Sequence, residues 1–133
     1  MLIHPKNHAR VTPDKLAYVV AENGETMTYR QLDEQSNRHA QLFRALGLAV
    51  GDGVALWMEN RTGFFEICWA AQRAGLYYTP ISTHLKADEI AYILNDCGAR
   101  IFIASARYRS EAERLGERLP KTTIRLSFGG EIT

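Results

Sequence analysis

An α/β fold, with a mostly parallel sheet flanked by helices and an N-terminal β-hairpin, is predicted by three features of this sequence. From Gly51 onward, apolar runs of strand length alternate with helical patterns. Glycine or proline closes each helical pattern, and an alternating stretch broken by Asn23-Gly24 precedes them all. The chain has 133 residues, 46% of them hydrophobic and 23% charged, with a formal net charge of +1. A chain of that size can bury a core without disulfide or metal staples. Its composition is that of a folded domain and not of a disordered tail. The small net charge gives no electrostatic footprint for nucleic acid or for an anionic membrane. No apolar run approaches the ~20 residues of a membrane span. The start, MLIHPKNHAR, lacks the continuous apolar core of a secretion signal. A cytoplasmic location is therefore expected.

The first element in order is the hairpin, residues 16–21 and 26–28, whose Asn23-Gly24 suits the positive-φ positions of a tight turn. It stands outside the crossover rhythm and is expected to pack at an edge. Thr28-Tyr29-Arg30-Gln31 has the form of a capping box, with Thr28 as N-cap and Gln31 three residues on. The helix it opens is expected to run to about Leu46, with Gly47 as the terminator and Leu32, Ala40, Phe43 and Leu46 on one face. Strands are predicted over 53–58, 77–81, 100–104 and 122–128. Helices are predicted between them over 62–74, 87–96 and 106–119, the last with Tyr108, Ala112, Leu115 and Leu119 at helical spacing. Gly75 and Gly98 are natural residues just past a helix end, and Pro120 blocks continuation of the last helix. Helices of this length suit crossovers between parallel strands.

The order of short signatures then adds a resemblance. Thr28-Tyr29 with Leu32, Asn37-Arg38, Leu46-Gly47, Gly51-Asp52-Gly53-Val54-Ala55-Leu56 and Glu59-Asn60 follow one another. Ala74-Gly75, Thr79-Pro80-Ile81, Leu85, Asp88-Glu89-Ile90 and the run from Tyr92 to Ala99 come next. Across residues 12–104 this succession resembles the amino-terminal region of the adenylate-forming superfamily: acyl-CoA synthetases, adenylation domains of peptide synthetases and firefly-type luciferases. Leu76-Tyr77-Tyr78, Ser82 and Gly53 depart from the family's usual residues.

The resemblance implies that residues 1–133 are the N-terminal portion of the large AMP-binding domain, ending before the phosphate-binding loop. The implied parent is an ATP-dependent acyl-CoA ligase of fatty acid metabolism, which converts a carboxylate, ATP and coenzyme A into acyl-CoA, AMP and pyrophosphate with magnesium. The family's Ser/Thr/Gly-rich loop ending in Pro-Lys-Gly, its Tyr-Gly-x-Thr-Glu segment and the lysine of its carboxy-terminal domain have no counterpart in this sequence. No catalytic, cofactor-binding or metal residue carries over onto it. ATP, magnesium and coenzyme A are thus expected of the parent only, and the segment is expected to be an inactive scaffold whose partner is the remainder of the same polypeptide. A peptide-synthetase or luciferase-like parent, or a standalone Rossmann-like binding module, are the alternatives.

Several residues invite functional readings that simpler roles answer. Gly51-Asp52-Gly53 precedes a strand and carries a carboxylate, which suits a turn better than a phosphate cradle. Asp88 and Glu89, near His84, suit a helix start through its dipole. His4 and His8 fall in what reads as a mobile leader. Arg107, Arg109, Arg114 and Arg118 interleave with Glu111, Glu113 and Glu117 as a solvated helix face. Cys68 and Cys97 read as reduced, buried thiols. Trp57, Phe64, Phe65, Trp69, Tyr77 and Tyr78 read as core, with Phe64 and Trp69 the candidates to border an acyl ligand. If Trp57, Phe64, Phe65 and Trp69 face a missing part of the domain, self-association is expected.

Overall fold

The computed structural model describes residues 3–119, 121–122 and 124–129. They form two compact units. The first contains helix α1 (Pro5–Val11), strands β1 (Leu16–Val19) and β2 (Thr26–Thr28), helix α2 (Tyr29–Ala45) and helix α3 (Gly63–Arg73). The second contains β3 (Gly53–Trp57), β4 (Tyr77–Ile81), α4 (Ala87–Asp96), β5 (Ala99–Ser105), α5 (Arg109–Arg114) and β6 (Ile124–Phe128).

In the first unit β1 and β2 pair antiparallel as a separate two-stranded sheet. The turn is looser than a two-residue hairpin. Only Gly24 has positive φ, at +74°, while Asn23 stays on the ordinary side and uses its Oδ1 to accept the Glu25 amide at 2.9 Å. The capping box is complete: Gln31 N–H donates to Thr28 Oγ1 at 3.2 Å, and Thr28 N–H donates to Gln31 Oε1 at 2.9 Å. Two otherwise orphaned amides are satisfied, which stabilises the helix start by about 1 kcal/mol. Leu32, Ser36, Ala40 and Phe43 form the buried stripe of α2. Leu46 lies past the helix and is only half-buried, so it is not part of that stripe. Gly47 ends the helix at φ +85°, a left-handed position that a Cβ would disfavour. Helix α3 packs on α2, and its small Ala70 and Ala71 are fully buried.

The segment before the hairpin is a helix and not a mobile leader. His4 caps α1 by accepting the Lys6 amide on Nδ1 at 3.1 Å, and Pro5, with φ already suited to a helix, follows it at the first turn. The sequence carries no Ser, Thr, Asp or Asn where a cap is usually sought. The imidazole fills that place.

The second unit is built on a parallel four-stranded sheet in the order β4-β3-β5-β6. Buried runs such as Val54-Ala55-Leu56-Trp57 and Ile101-Phe102-Ile103-Ala104 occupy the two inner strands. Ala55, Trp57, Phe102 and Ala104 share one core with Ile90 and Leu94 of α4 and with Leu115 and Leu119. Each large member contributes roughly 1.5–3 kcal/mol by leaving water. Gly98, at φ +63°, turns the chain from α4 into β5.

Three expectations are corrected here. The helix predicted over 106–119 is broken into a 3₁₀ turn at Ala106–Tyr108, the short α5, and a second 3₁₀ turn at Gly116–Arg118. Leu115 and Leu119 still reach the core, and Tyr108 and Ala112 pack against it, so the apolar spacing was right while the continuity was not. Pro120 lies outside the described residues. Tyr77 and Tyr78 are 74% and 44% exposed because β4 is an edge strand. Cys68 is buried, but Cys97 is exposed: it caps the end of α4, where its thiol makes only a weak contact of 3.6 Å to the Leu94 carbonyl. The strand ends differ slightly from expectation, with β3 stopping at Trp57, β5 extended at both ends and β6 starting at Ile124.

Candidate functional site

Ligands of open parallel sheets gather outside the carboxyl ends of the strands. Here those ends lie in register, Trp57 beside Ile81 and Ala104, and Ala104 beside Ser127. Beyond β3 comes Glu59, and at the end of β5 stands the fully buried Ser105. The Ser105 hydroxyl donates to Glu59 Oε1 at 3.0 Å and accepts the Arg107 amide at 3.4 Å, so it joins the two strand ends and caps the turn that follows. Trp57 is stacked on Tyr108 with ring centres 4.7 Å apart, and the Arg107 guanidinium lies 5.9 Å from the Tyr108 ring centre. The Trp57 indole N–H is buried without a hydrogen-bond partner among the described residues. Ser82, past β4, accepts the His84 amide at 3.3 Å. A serine that donates to a carboxylate without a histidine base is a strand tie and not an activated nucleophile.

At the opposite ends of the strands sits Gly51-Asp52-Gly53, with Gly51 at φ +93°. Asp52 Oδ2 accepts the Ala49 amide at 2.8 Å and the Arg100 guanidinium at 2.8 Å. The amide bond first, then the Arg100 bond, hold its carboxyl below the ordinary range. An amide and a guanidinium that a phosphate could use are thereby engaged by the chain's own anion. These residues do not fit a polyphosphate, and the segment is a structural turn. Because the folded-state value is depressed, the contribution of Asp52 is present above the usual 3.8 and is lost as pH falls through the lowered value. Melting temperatures recorded from about pH 6 down to about pH 3 should therefore fall more for the native chain than for Asp52→Asn.

The first unit shows the same use of polar groups. Arg73 pairs with Asp33, and His39 Nε2 lies 3.1 Å from Oε2 of the buried Glu66. Asn60, one of the signature residues, donates to Glu22 at 3.1 Å and holds that carboxyl below its ordinary range. Tyr18 donates to the Thr62 carbonyl at 2.5 Å; its phenol is pushed well up by burial, with Glu66 adding to the shift. Burial pushes the Cys68 thiol up to about 11, which makes it inert as a nucleophile. Asp88 and Glu89 serve the start of α4 as expected: Glu89 Oε2 accepts the Lys86 amide at 2.8 Å. Asp88 also accepts from Arg118 at 2.6 Å, and Arg109 pairs with Glu113 in the expected i,i+4 manner at 3.0 Å. Among the described residues no group of three His, Cys, Asp or Glu side chains is placed to hold a metal ion, and no helix is long and apolar enough to cross a membrane. Trp57 is core, as expected, and so is withdrawn from the surface that self-association would use. Phe64 and Trp69 are half-buried and Phe65 is 47% exposed.

The comparisons decide what these features belong to. The sequence profile of the AMP-binding enzyme family matches residues 5–131. The chain belongs to this family. Long-chain-fatty-acid–CoA ligase FadD13 of Mycobacterium tuberculosis is 39% identical over 101 residues, covering 76% of this chain and 20% of the relative. Fatty acid–[acyl-carrier-protein] ligase ScoC of Streptomyces coeruleorubidus is 34% identical over 119 residues, covering 90% of this chain and 22% of the relative. The inhibitor-bound N-terminal domain of FACL13 from Mycobacterium tuberculosis superposes with a TM-score of 0.85 at 32% identity, over 92% of this chain and 32% of that one. The chain spans about a fifth of the length of these curated relatives. The Glu59–Ser105 tie and the Trp57–Tyr108 stack escaped sequence reading. A Ser two residues before Arg107 at a strand end was the one available signal for the first.

Proposed function

We propose that this chain forms the first portion of the large domain of an AMP-forming acyl-CoA ligase acting on a fatty acid, and that its own contribution is a scaffold. The observation that carries the reading is the family match over residues 5–131. The similarity to a long-chain-fatty-acid–CoA ligase supports the choice of acid and acceptor. Support for the scaffold role comes from three pairs of polar groups engaged with one another: Ser105 with Glu59, Asp52 with Arg100, Arg73 with Asp33. The remainder of a longer polypeptide would supply the phosphate-binding loop and the magnesium and coenzyme A contacts. A reducing cytoplasm suits the two free cysteines. Acyl transfer to a carrier protein is the second reading, favoured by the similarity to a fatty acid–[acyl-carrier-protein] ligase.

Titration calorimetry of the 133-residue chain with MgATP tests the scaffold assignment. No heat of binding is expected up to about 1 mM ligand, a free energy near −4 kcal/mol. Saturable binding in the micromolar range would overturn it.

A further inference from the structure

We propose that α1 is a pH-operated latch, held on the first unit at neutral pH by the unprotonated imidazole of His4 and released when that ring takes up a second proton. The lone pair of His4 Nδ1 accepts the Lys6 amide at 3.1 Å, so the ring is neutral with its proton on Nε2. The same ring meets Trp69 of α3 edge-on, with centres 5.0 Å apart. One turn later His8 stacks on Tyr29 of α2 at 4.9 Å. The short α1 is thus fastened by two ring contacts and by the buried Pro5, and its start is capped by an imidazole.

Protonation of His4 acts on the cap and on the helix dipole. Nδ1 becomes a donor facing the Lys6 amide, so the cap bond is lost and two N–H groups oppose one another. A cation appears at the positive end of the helix dipole. Among the described residues, the charged groups acting on the ring are Arg73 of α3, Asp33 of α2 and Lys6 of α1. Burial and then Arg73 favour the neutral ring, and Lys6 adds to them. Asp33 opposes them, but its carboxylate is already paired with Arg73. The folded value consequently lies below the ordinary 6.5. For a base with a depressed value, docking is at full strength above 6.5 and weakens as pH falls through the folded value.

Amide exchange and two-dimensional ¹⁵N spectra of the full 133-residue chain, recorded from about pH 7.5 to about pH 5, read the latch directly. Corrected for intrinsic rates, protection of the α1 amides should fall by about ten-fold for each unit of separation between free and docked values. The Lys6 amide and the Trp69 indole signals should shift with the same midpoint. His4→Asn and His4→Ser keep an acceptor at the cap at every pH, and α1 should stay protected in both across the range. If protection of the native α1 amides does not begin to fall as pH drops below 6.5, or if either variant releases α1 with the native midpoint, His4 is not the latch. Release through His8 would leave both variants pH-sensitive and so would also overturn the proposal.

Discussion

Phe102→Ala is expected to destabilise the chain by about 3–5 kcal/mol, the range for emptying a buried aromatic site. Phe102 is 1% exposed, in the inner strand β5, and its ring lies 6.5 Å from Trp57 in a stacked arrangement. Around it Ile90 and Leu94 come from α4 and Leu115 from beyond α5, while its own strand is fixed by the ladders of β5 to β3 and β6. A domain of this size is stable by only about 5–15 kcal/mol, so a loss of this order removes much of the folded margin. Urea unfolding followed by circular dichroism measures it as a lower midpoint at unchanged slope. A shift under about 1 kcal/mol would mean that the ring is not buried between sheet and helices as described.

The second large effect tests the register of α2. Phe43 is 1% exposed and shares its face with Leu32, Ser36 and Ala40, while its neighbour Leu42 is 42% exposed. One residue is about 100° of helical rotation, so adjacent apolar side chains meet opposite environments. Phe43→Ala should cost about 3–5 kcal/mol, and Leu42→Ala no more than about 0.5 kcal/mol. Equal costs at the two positions would contradict the buried stripe.

These sites show what could be read in advance. The capping box at Thr28, the glycine turns and the alternation of apolar runs with helical patterns are local signals, and each led to an element in the expected place. Strand order is a tertiary property. Nothing in Tyr77-Tyr78-Thr79-Pro80-Ile81 declared that β4 would be an edge, and its two tyrosines were read as core for that reason. Pro80, which has no amide to donate, was compatible with an edge but does not require one. The α1 helix was missed because its cap is a histidine, and Cys97 was misplaced because an apolar neighbourhood in sequence does not fix which side of a helix end faces water. The last helix was overextended because apolar spacing survives in 3₁₀ turns, where residues three apart also align. At the candidate site the signatures of the family were legible, whereas the ties between strand ends, Glu59 to Ser105 and Asp52 to Arg100, join residues far apart in sequence and needed the fold to appear.

The most direct measurement of the proposed function is exchange of labelled pyrophosphate into ATP by the longer polypeptide that this chain would begin, assayed with a panel of fatty and aryl acids. Exchange that depends on the carboxylic acid, followed by acyl-CoA formation when coenzyme A is added, is the predicted result. A folded, full-length protein that shows no acid-dependent exchange across the panel would contradict the ligase reading.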